Sequence, residues 1–247
     1  MKGFCIDVSG DFACFTQPHL KADPVSYPVI TPSAARGIFD AIFWKPAIRW
    51  HINKIEVMNP ILWFNIMRNE VKSKASVSSG PLFIEKERTQ RSAMILRDVR
   101  YRLHASFEFI PPELRQKPVK KSPLWMDEEE HSGDCGRKDE TEAKYAAIFE
   151  RRASRGQCFR RPYLGCREFS CDRIRLVPEG GGLDAPINET KDLGWMLYDM
   201  DFSDMGNITP MIYYATMKNG VIEVPGIDSG KVLKCGANPF DSKENKQ

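Results

Sequence analysis

The stretch TPSAARGIFDAIFWKPAIRWHINKIEV, from Thr31 to Val57, decides the fold. Its opening threonine, followed by proline, is typical of a helix N-cap with proline at the first helical position. We predict a helix to about Trp44, because Pro46 cannot donate the next hydrogen bond. Alternating apolar residues from Ile48 onward then predict a strand.

Similar patterns flank this unit. Residues 4–8 and 97–109 alternate like half-buried strands, and a capped helix is predicted over about 142–155, with Gly156 as its stop. We expect residues 157–171 to be extended. The resulting order, β-α-β followed by β-α-β, predicts an α+β fold of the ferredoxin-like type that RNA-recognition domains share.

The domain boundaries follow from breaks in the pattern. We predict a ferredoxin-like domain over 1–178, with insertions near 61–95 and 115–140 where the periodicity weakens. A glycine-rich break then leads into a β-rich C-terminal extension over 179–247. That extension contains a hairpin at 211–224 with an Asn-Gly turn.

Composition indicates a soluble globular protein: of 247 residues, 42% are hydrophobic and 28% charged. No segment approaches the ~18 apolar residues that a membrane helix needs. Asp7 interrupts the apolar N-terminus, which argues against a signal peptide. The seven cysteines form no Cys-x-x-Cys pair, so we expect a cytoplasmic protein with no membrane partner.

The net charge of +3 is small, but its distribution is informative. One acid, Glu150, accompanies seven basic residues: Lys144, Arg151, Arg152, Arg155, Arg160, Arg161 and Arg167. Helical spacing places Lys144, Arg151 and Arg155 in one stripe. Such a stripe suits a phosphate backbone, although an ordinary solvated helix face is the alternative.

Three aromatic residues lie among these charges: Phe159, Tyr163 and Phe169. Their rings can stack on unpaired bases or simply fill a core. Carboxylates in the same region are Glu150, Glu168 and Asp172. A metal-dependent DNA nuclease would need such carboxylates to hold its metal ion. We therefore keep DNA as an alternative partner.

Three segments, 10–16, 26–48 and 150–169, resemble the Cas-five proteins of type I-C CRISPR systems, which belong to the RAMP superfamily. The resemblance implies an endoribonuclease that cuts precursor CRISPR RNA at the repeat hairpin and keeps the 5′ handle. It also implies a subunit of the Cascade complex, with backbone and large subunits as partners. The cut would proceed by 2′-hydroxyl attack, leaving a 2′,3′-cyclic phosphate, without metal or other cofactor.

The family's catalytic pattern is a tyrosine before Trp-Lys-Pro and a later Lys-His pair. Here the lysine is Lys144, whereas the tyrosine position is Phe43 and the histidine position is Tyr145. The resemblance thus implies Lys144 and Tyr145 as the catalytic pair. The RNA contacts that we predict are Arg36, Lys45, Arg151, Arg152, Arg155, Arg160, Arg161 and Arg167.

Two alternatives to Tyr145 as the catalytic base stay open: another base, or a protein that cuts feebly or not at all. His19, His51 or His104 could be brought into the site from elsewhere in the chain. Otherwise cleavage is feeble and the protein is a non-catalytic RNA-binding subunit of the same complex. A phenol with a reference pKa of about 10 is a poor base at neutral pH, which keeps both alternatives in play.

Overall fold

The computed structural model describes eight ranges of the chain, which are residues 2–20, 22–73, 83–111, 113, 115, 140–178, 184–203 and 207–235. Most of the predicted insertion at 115–140, the glycine-rich break and the C-terminal tail lie outside these residues. Within the described ranges, no helix combines the length and the apolar character needed to cross a bilayer.

Nine strands and three helices form within the described ranges. In chain order they are β1 (Gly3–Ala13), α1 (Pro32–Ile42), β2 (Ile48–Val57), β3 (Leu62–Val71), α2 (Ile84–Glu87), β4 (Arg88–Phe109), α3 (Glu142–Ser154), β5 (Arg173–Val177), β6 (Lys191–Asp201), β7 (Thr209–Lys218), β8 (Val221–Glu223) and β9 (Val232–Lys234).

The first half of the sheet has ferredoxin-like topology. Its strand order is β5-β1-β4-β2 and every pairing is antiparallel. Helices α1 and α3 lie on one face, where the ring of Phe149 packs 4.7 Å from Trp50 and 5.6 Å from Phe39. The α+β prediction is therefore confirmed.

The C-terminal strands continue the same sheet, because β8 pairs with β2 and is followed by β7 and β6. Their buried side chains, among them Met196 and Tyr213, belong to one core with those of β1 and β2. The β7-β8 hairpin turns at Asn219 and Gly220, both with positive φ (49° and 74°), as its Asn-Gly sequence predicts. The division at residue 178 stays a prediction.

The expectation of an extended segment at 157–171 is wrong, since the chain there forms turns. Its polar groups bond to different elements: the Phe159 N–H donates to Ala41 O (2.7 Å), and Leu164 O accepts from Cys14 N–H (3.0 Å). Gly165 bends the backbone at φ 87°, with a Cβ position only 2.0 Å from Cys14 O. Hydrogen bonds to separate elements, instead of a ladder to one strand, therefore hold this segment.

The predicted insertion near 61–95 contains strand β3, antiparallel to the extended start of β4. The sequence pattern is weak there because β3 is mostly exposed on both faces, so neither face requires apolar residues. Such a strand carries no period-two signal.

Candidate nucleic-acid interface

The end of α1 meets the start of α3 through two buried rings. Phe43, the C-cap of α1, is 1% exposed, and its ring centroid lies 5.8 Å from that of Tyr145, which is 3% exposed. Both positions that depart from the family pattern therefore lie in the hydrophobic core.

The hydroxyl of Tyr145 is held by a buried carboxylate. It donates to Glu140 Oε1 (2.9 Å), while Glu140 Oε2 pairs with Arg115 Nη2 (2.7 Å). Arg115 also donates from Nε to Ile110 O (2.9 Å). The phenol of Tyr145 is therefore buried, and its proton is directed at Glu140.

Lys144 has the opposite environment, since its side chain is exposed. It occupies the first turn of α3, where its N–H donates to the Oγ1 of the N-cap Thr141 (3.2 Å). A cation at a helix N-terminus is disfavoured by the helix dipole. The helix dipole therefore does not stabilise a lysine at this position.

Five of the predicted RNA contacts are exposed and form no ion pair within the described part of the chain: Arg151, Arg155, Arg160, Arg161 and Arg167. Arg152 and Arg161 bond to main-chain carbonyls. Arg152 donates to Ile42 O (3.2 Å) with its guanidinium over the Phe43 ring, and Arg161 donates to Cys171 O (3.4 Å). Lys45 is half-buried.

Arg36 is bound by two carboxylates. Its Nε and Nη2 donate to Asp199 (both 2.9 Å) and its Nη1 to Asp40 (2.9 Å). This pairing ties α1 to β6 and uses the planar guanidinium fully. Burial raises the pKa of Asp40, and the charge of Arg36 opposes that rise. Because its guanidinium is already occupied, we propose that Arg36 stabilises the fold, and its contact with RNA stays an untested prediction.

The three aromatic residues separate by exposure. Phe159 is 66% exposed. Tyr163 and Phe169 are partly buried: Tyr163 forms a bridge with Ser170, and Phe169 packs 6.3 Å from the ring of Phe12. Phe159 is the one of the three whose ring is open to a base.

Two of the three candidate histidines lie on the sheet face opposite the helices. His51 on β2 and His104 on β4 contact Glu108 (3.3 Å) and Glu56 (3.1 Å) there. The sheet separates both from α3, so the structure does not bring them to Lys144. His19 lies in the loop that joins β1 to α1.

The carboxylates do not gather into a cluster. Glu150 pairs with Lys2, Glu168 with Arg68, and Asp172 accepts from the Asp11 N–H. Across the described residues, no group of three or more His, Cys, Asp or Glu side chains has the geometry of a metal site.

Comparison with known proteins decides the family. The family model described as "CRISPR-associated protein (Cas_Cas5)" matches residues 3–122 and 124–225. This chain belongs to that Cas5 family. Two relatives named "CRISPR pre-crRNA endoribonuclease Cas5d" are 41% identical over 236 residues (Mannheimia succiniciproducens) and 34% over 237 (Thermus thermophilus). The alignments cover 89% of this chain in both cases, and 93% and 90% of the relatives.

Solved structures agree with the Cas5 fold. A structure titled "Crystal Structure of CRISPR-associated Protein" has a TM-score of 0.60 at 23% identity, covering 91% of this chain and 92% of that one. A functionally uncharacterized protein from Streptococcus mutans has a TM-score of 0.57 at 21% identity, covering 91% and 93%. At these identities the likeness concerns the fold alone.

Two features of this Cas5 chain escaped the sequence analysis. The Glu140 carboxylate that binds Tyr145, and the Arg115 that pairs with Glu140, carry no local signal, because a long and weakly patterned segment separates Arg115 from α3. Trp44 is 52% exposed at the end of α1. Trp44 precedes Lys45-Pro46, where the helix must end. That position indicated that the Trp44 side chain lies outside the face of α1 that packs on the sheet.

Proposed function

We propose that this chain is an endoribonuclease that cuts precursor CRISPR RNA and stays bound to the 5′ handle as a subunit of a type I-C Cascade complex. The observation that carries the proposal is the exposed set of Arg151, Arg155, Arg160 and Arg167, which have no carboxylate partners in the described ranges, on the same helix and loop as Lys144. Family membership and the names of two relatives support RNA as the ligand.

In the proposed reaction a ribose 2′-hydroxyl attacks the adjacent phosphate, and the 5′-oxygen of the next nucleotide leaves. The products are a 2′,3′-cyclic phosphate and a 5′-hydroxyl. Negative charge builds up on the phosphorane oxygens, where a preorganised cation is worth most. We assign this role to Lys144, because its side chain is exposed at the end of the basic stripe.

We assign Tyr145 a positioning role instead of the role of base. Its buried ring and its hydrogen bond to Glu140 anchor the first turn of α3 and so place Lys144. Tyr145→Phe keeps the ring and removes only the hydroxyl, so we expect cleavage to stay within about fivefold of wild type. A loss of about 100-fold or more in a folded Tyr145→Phe protein would return Tyr145 to the role of base.

Cleavage of the chain's own repeat hairpin in excess EDTA tests the proposal. We expect one cut at the hairpin base, with a cyclic phosphate on the 5′ fragment. The same sequence as DNA lacks the 2′-hydroxyl and should not be cut, and its binding shows whether DNA is also a ligand. Stable RNA binding with no cut over hours would overturn the enzyme proposal.

That outcome would support the second candidate, a non-catalytic RNA-binding subunit. The observation in its favour is that Phe43 and Tyr145, at two of the family's three catalytic positions, are buried. Tandem purification with the predicted backbone and large subunits from the cytoplasmic fraction tests the assembly role for either candidate.

Lys144→Ala separates catalysis from binding. Removing one preorganised charge donor typically costs about 10²- to 10³-fold in rate, and we expect binding to change by less than about threefold. Lys191→Ala, an exposed lysine on β6, is the matched control and should cut like wild type. Normal cleavage by Lys144→Ala would contradict the assignment of Lys144.

A further inference from the structure

We propose that the exposed rings of Trp44 and Phe159 stack on unpaired bases of the RNA, beside the phosphate that Lys144 contacts. The inference rests on the proposed function, since RNA must be the ligand. It adds base-contacting residues to a surface otherwise made of phosphate-binding arginines.

The backbone beneath both rings is fixed by three hydrogen bonds at the end of α1. Trp50 Nε1 donates to Phe43 O (2.9 Å), Arg152 Nη1 to Ile42 O (3.2 Å), and the Phe159 N–H to Ala41 O (2.7 Å). The backbones of Trp44 and Phe159 therefore lie close together, in one region held by hydrogen bonds. Preorganisation of this kind lowers the ordering cost of binding.

Both rings are nevertheless open to solvent, with 52% of Trp44 and 66% of Phe159 exposed. The residue before Trp44 is Phe43, whose ring touches Tyr145, and the residue before Tyr145 is Lys144. Trp44 and Lys144 are therefore exposed chain neighbours of the two rings in one buried contact. In the proposed arrangement a base stacked on Trp44 lies next to a phosphate that faces Lys144.

The charges around these rings favour a polyanion over an apolar protein surface. Lys45 follows Trp44, Arg160 follows Phe159, and Arg160 is near enough to Asp40 to oppose the burial-driven rise in its pKa. Asp40 itself is already bound by Arg36. The exposed pair Trp195 and Tyr214 differs: Trp195 packs edge-on at 5.4 Å against Tyr214, whose hydroxyl donates to Asp192.

The test is a binding cycle between protein variants and abasic RNA. The probe is the chain's own repeat RNA, made uncleavable by a 2′-deoxy substitution at the cut site, with single abasic nucleotides placed in turn at the unpaired positions. We expect Trp44→Ala and Phe159→Ala each to weaken binding about 5- to 150-fold, the range measured for one stacked base. The abasic substitution at one position should then cost nothing further in the matching variant, and Trp44→Phe should keep most of the affinity.

Trp195→Ala and Phe202→Ala are the matched controls, because these side chains are 52% and 50% exposed elsewhere on the surface. Both should bind within twofold of wild type. Abasic penalties that stay the same in Trp44→Ala and Phe159→Ala, or affinities within twofold of wild type, would overturn the inference while leaving the proposed function intact. Loss of Cascade partners with unchanged RNA binding would also overturn it, in favour of a protein contact. A wild-type chain that binds no repeat RNA would instead overturn both proposals.

Discussion

The sheet face opposite the helices and the helix-loop region at 144–167 are both rich in arginine, but their arginines have opposite environments. On the sheet face Arg100 pairs with Asp7 (2.8 Å) and Arg102 with Glu56 (2.7 Å). In the helix-loop region Arg151 and Arg155 are exposed and form no ion pair within the described ranges.

The difference shows which positive charge is available to a ligand. Arg102 and Glu56 are nearly buried, with side chains 6% and 9% exposed, so each neutralises a charge that would otherwise be costly to bury. Hydrogen bonding to Asp7 raises the pKa of Arg100 further. These arginines stabilise the fold, whereas the field of the helix-loop region extends into solvent and can attract phosphate.

Arg102→Ala should give the largest effect on stability. It removes the buried arginine partner of Glu56, and breaking a buried pair costs roughly 3–5 kcal/mol in unfolding free energy. Because Lys54 (2.7 Å) and His104 (3.1 Å) stay beside Glu56, we expect the lower end of that range, about 3 kcal/mol. Urea denaturation followed by circular dichroism measures it. Arg173→Ala, an exposed arginine at the start of β5, is the control and should change stability by less than about 0.5 kcal/mol. Equal effects of the two changes would remove the distinction between paired and unpaired arginines.

Arg36→Ala should give the next largest effect, because it removes hydrogen bonds to two carboxylates that link α1 to β6. We expect a loss of about 1.5–3 kcal/mol in unfolding free energy. The salt dependence of RNA binding by the folded variant should match wild type. A shallower salt slope would show that Arg36 contacts the RNA.

The double change Arg151→Ala with Arg155→Ala should alter binding with little effect on stability. Loss of two phosphate contacts reduces the slope of log affinity against log salt by about 1.4–1.8. Fluorescence anisotropy of labelled repeat RNA at several salt concentrations measures it. Lys191→Ala with Lys218→Ala removes the same charge from the C-terminal strands and should leave the slope unchanged. An unaltered slope in the arginine variant would mean that the stripe is only solvated surface.

The smallest expected effect concerns His104 on the sheet face. Burial, followed by the charge of Lys54, lowers the pKa of His104 below its usual 6.5. As the pH falls, His104 is therefore protonated in the unfolded chain before it is protonated in the folded protein. The contribution of neutral His104 to stability is complete above about pH 6.5 and is lost as the pH falls through the folded-state pKa. His104→Gln should flatten the fall in unfolding free energy between pH 7 and pH 5. An equally steep fall in the variant would exclude His104 as its source.

Much of the fold could be predicted because local signals and burial agree. Thr31 and Thr141 cap α1 and α3 as their sequences suggest, and the Asn-Gly turn joins β7 to β8. Prediction was wrong for 157–171, where tertiary hydrogen bonds replace a ladder. Strand β3 gave no signal because it is exposed on both faces.

For the site, the sequence identified the charged positions but not their partners. Spacing on a helix gave the exposed stripe of Lys144, Arg151 and Arg155 correctly, since exposure follows from helical periodicity and the buried arc beside it. It could not separate Arg36 from Arg151, because Asp199 is far away in the chain.

The sequence by itself determined the family, the helix caps, the hairpin turn and the placing of basic charge on one helix and the following loop, since each depends on residues close together in the chain. Only the tertiary structure decided which arginines are neutralised, that Tyr145 is buried against Glu140, and that Trp44 and Phe159 leave the same end of α1. The reason is physical: burial and ion pairing depend on side chains separated by many residues, and no local pattern records which of them meet.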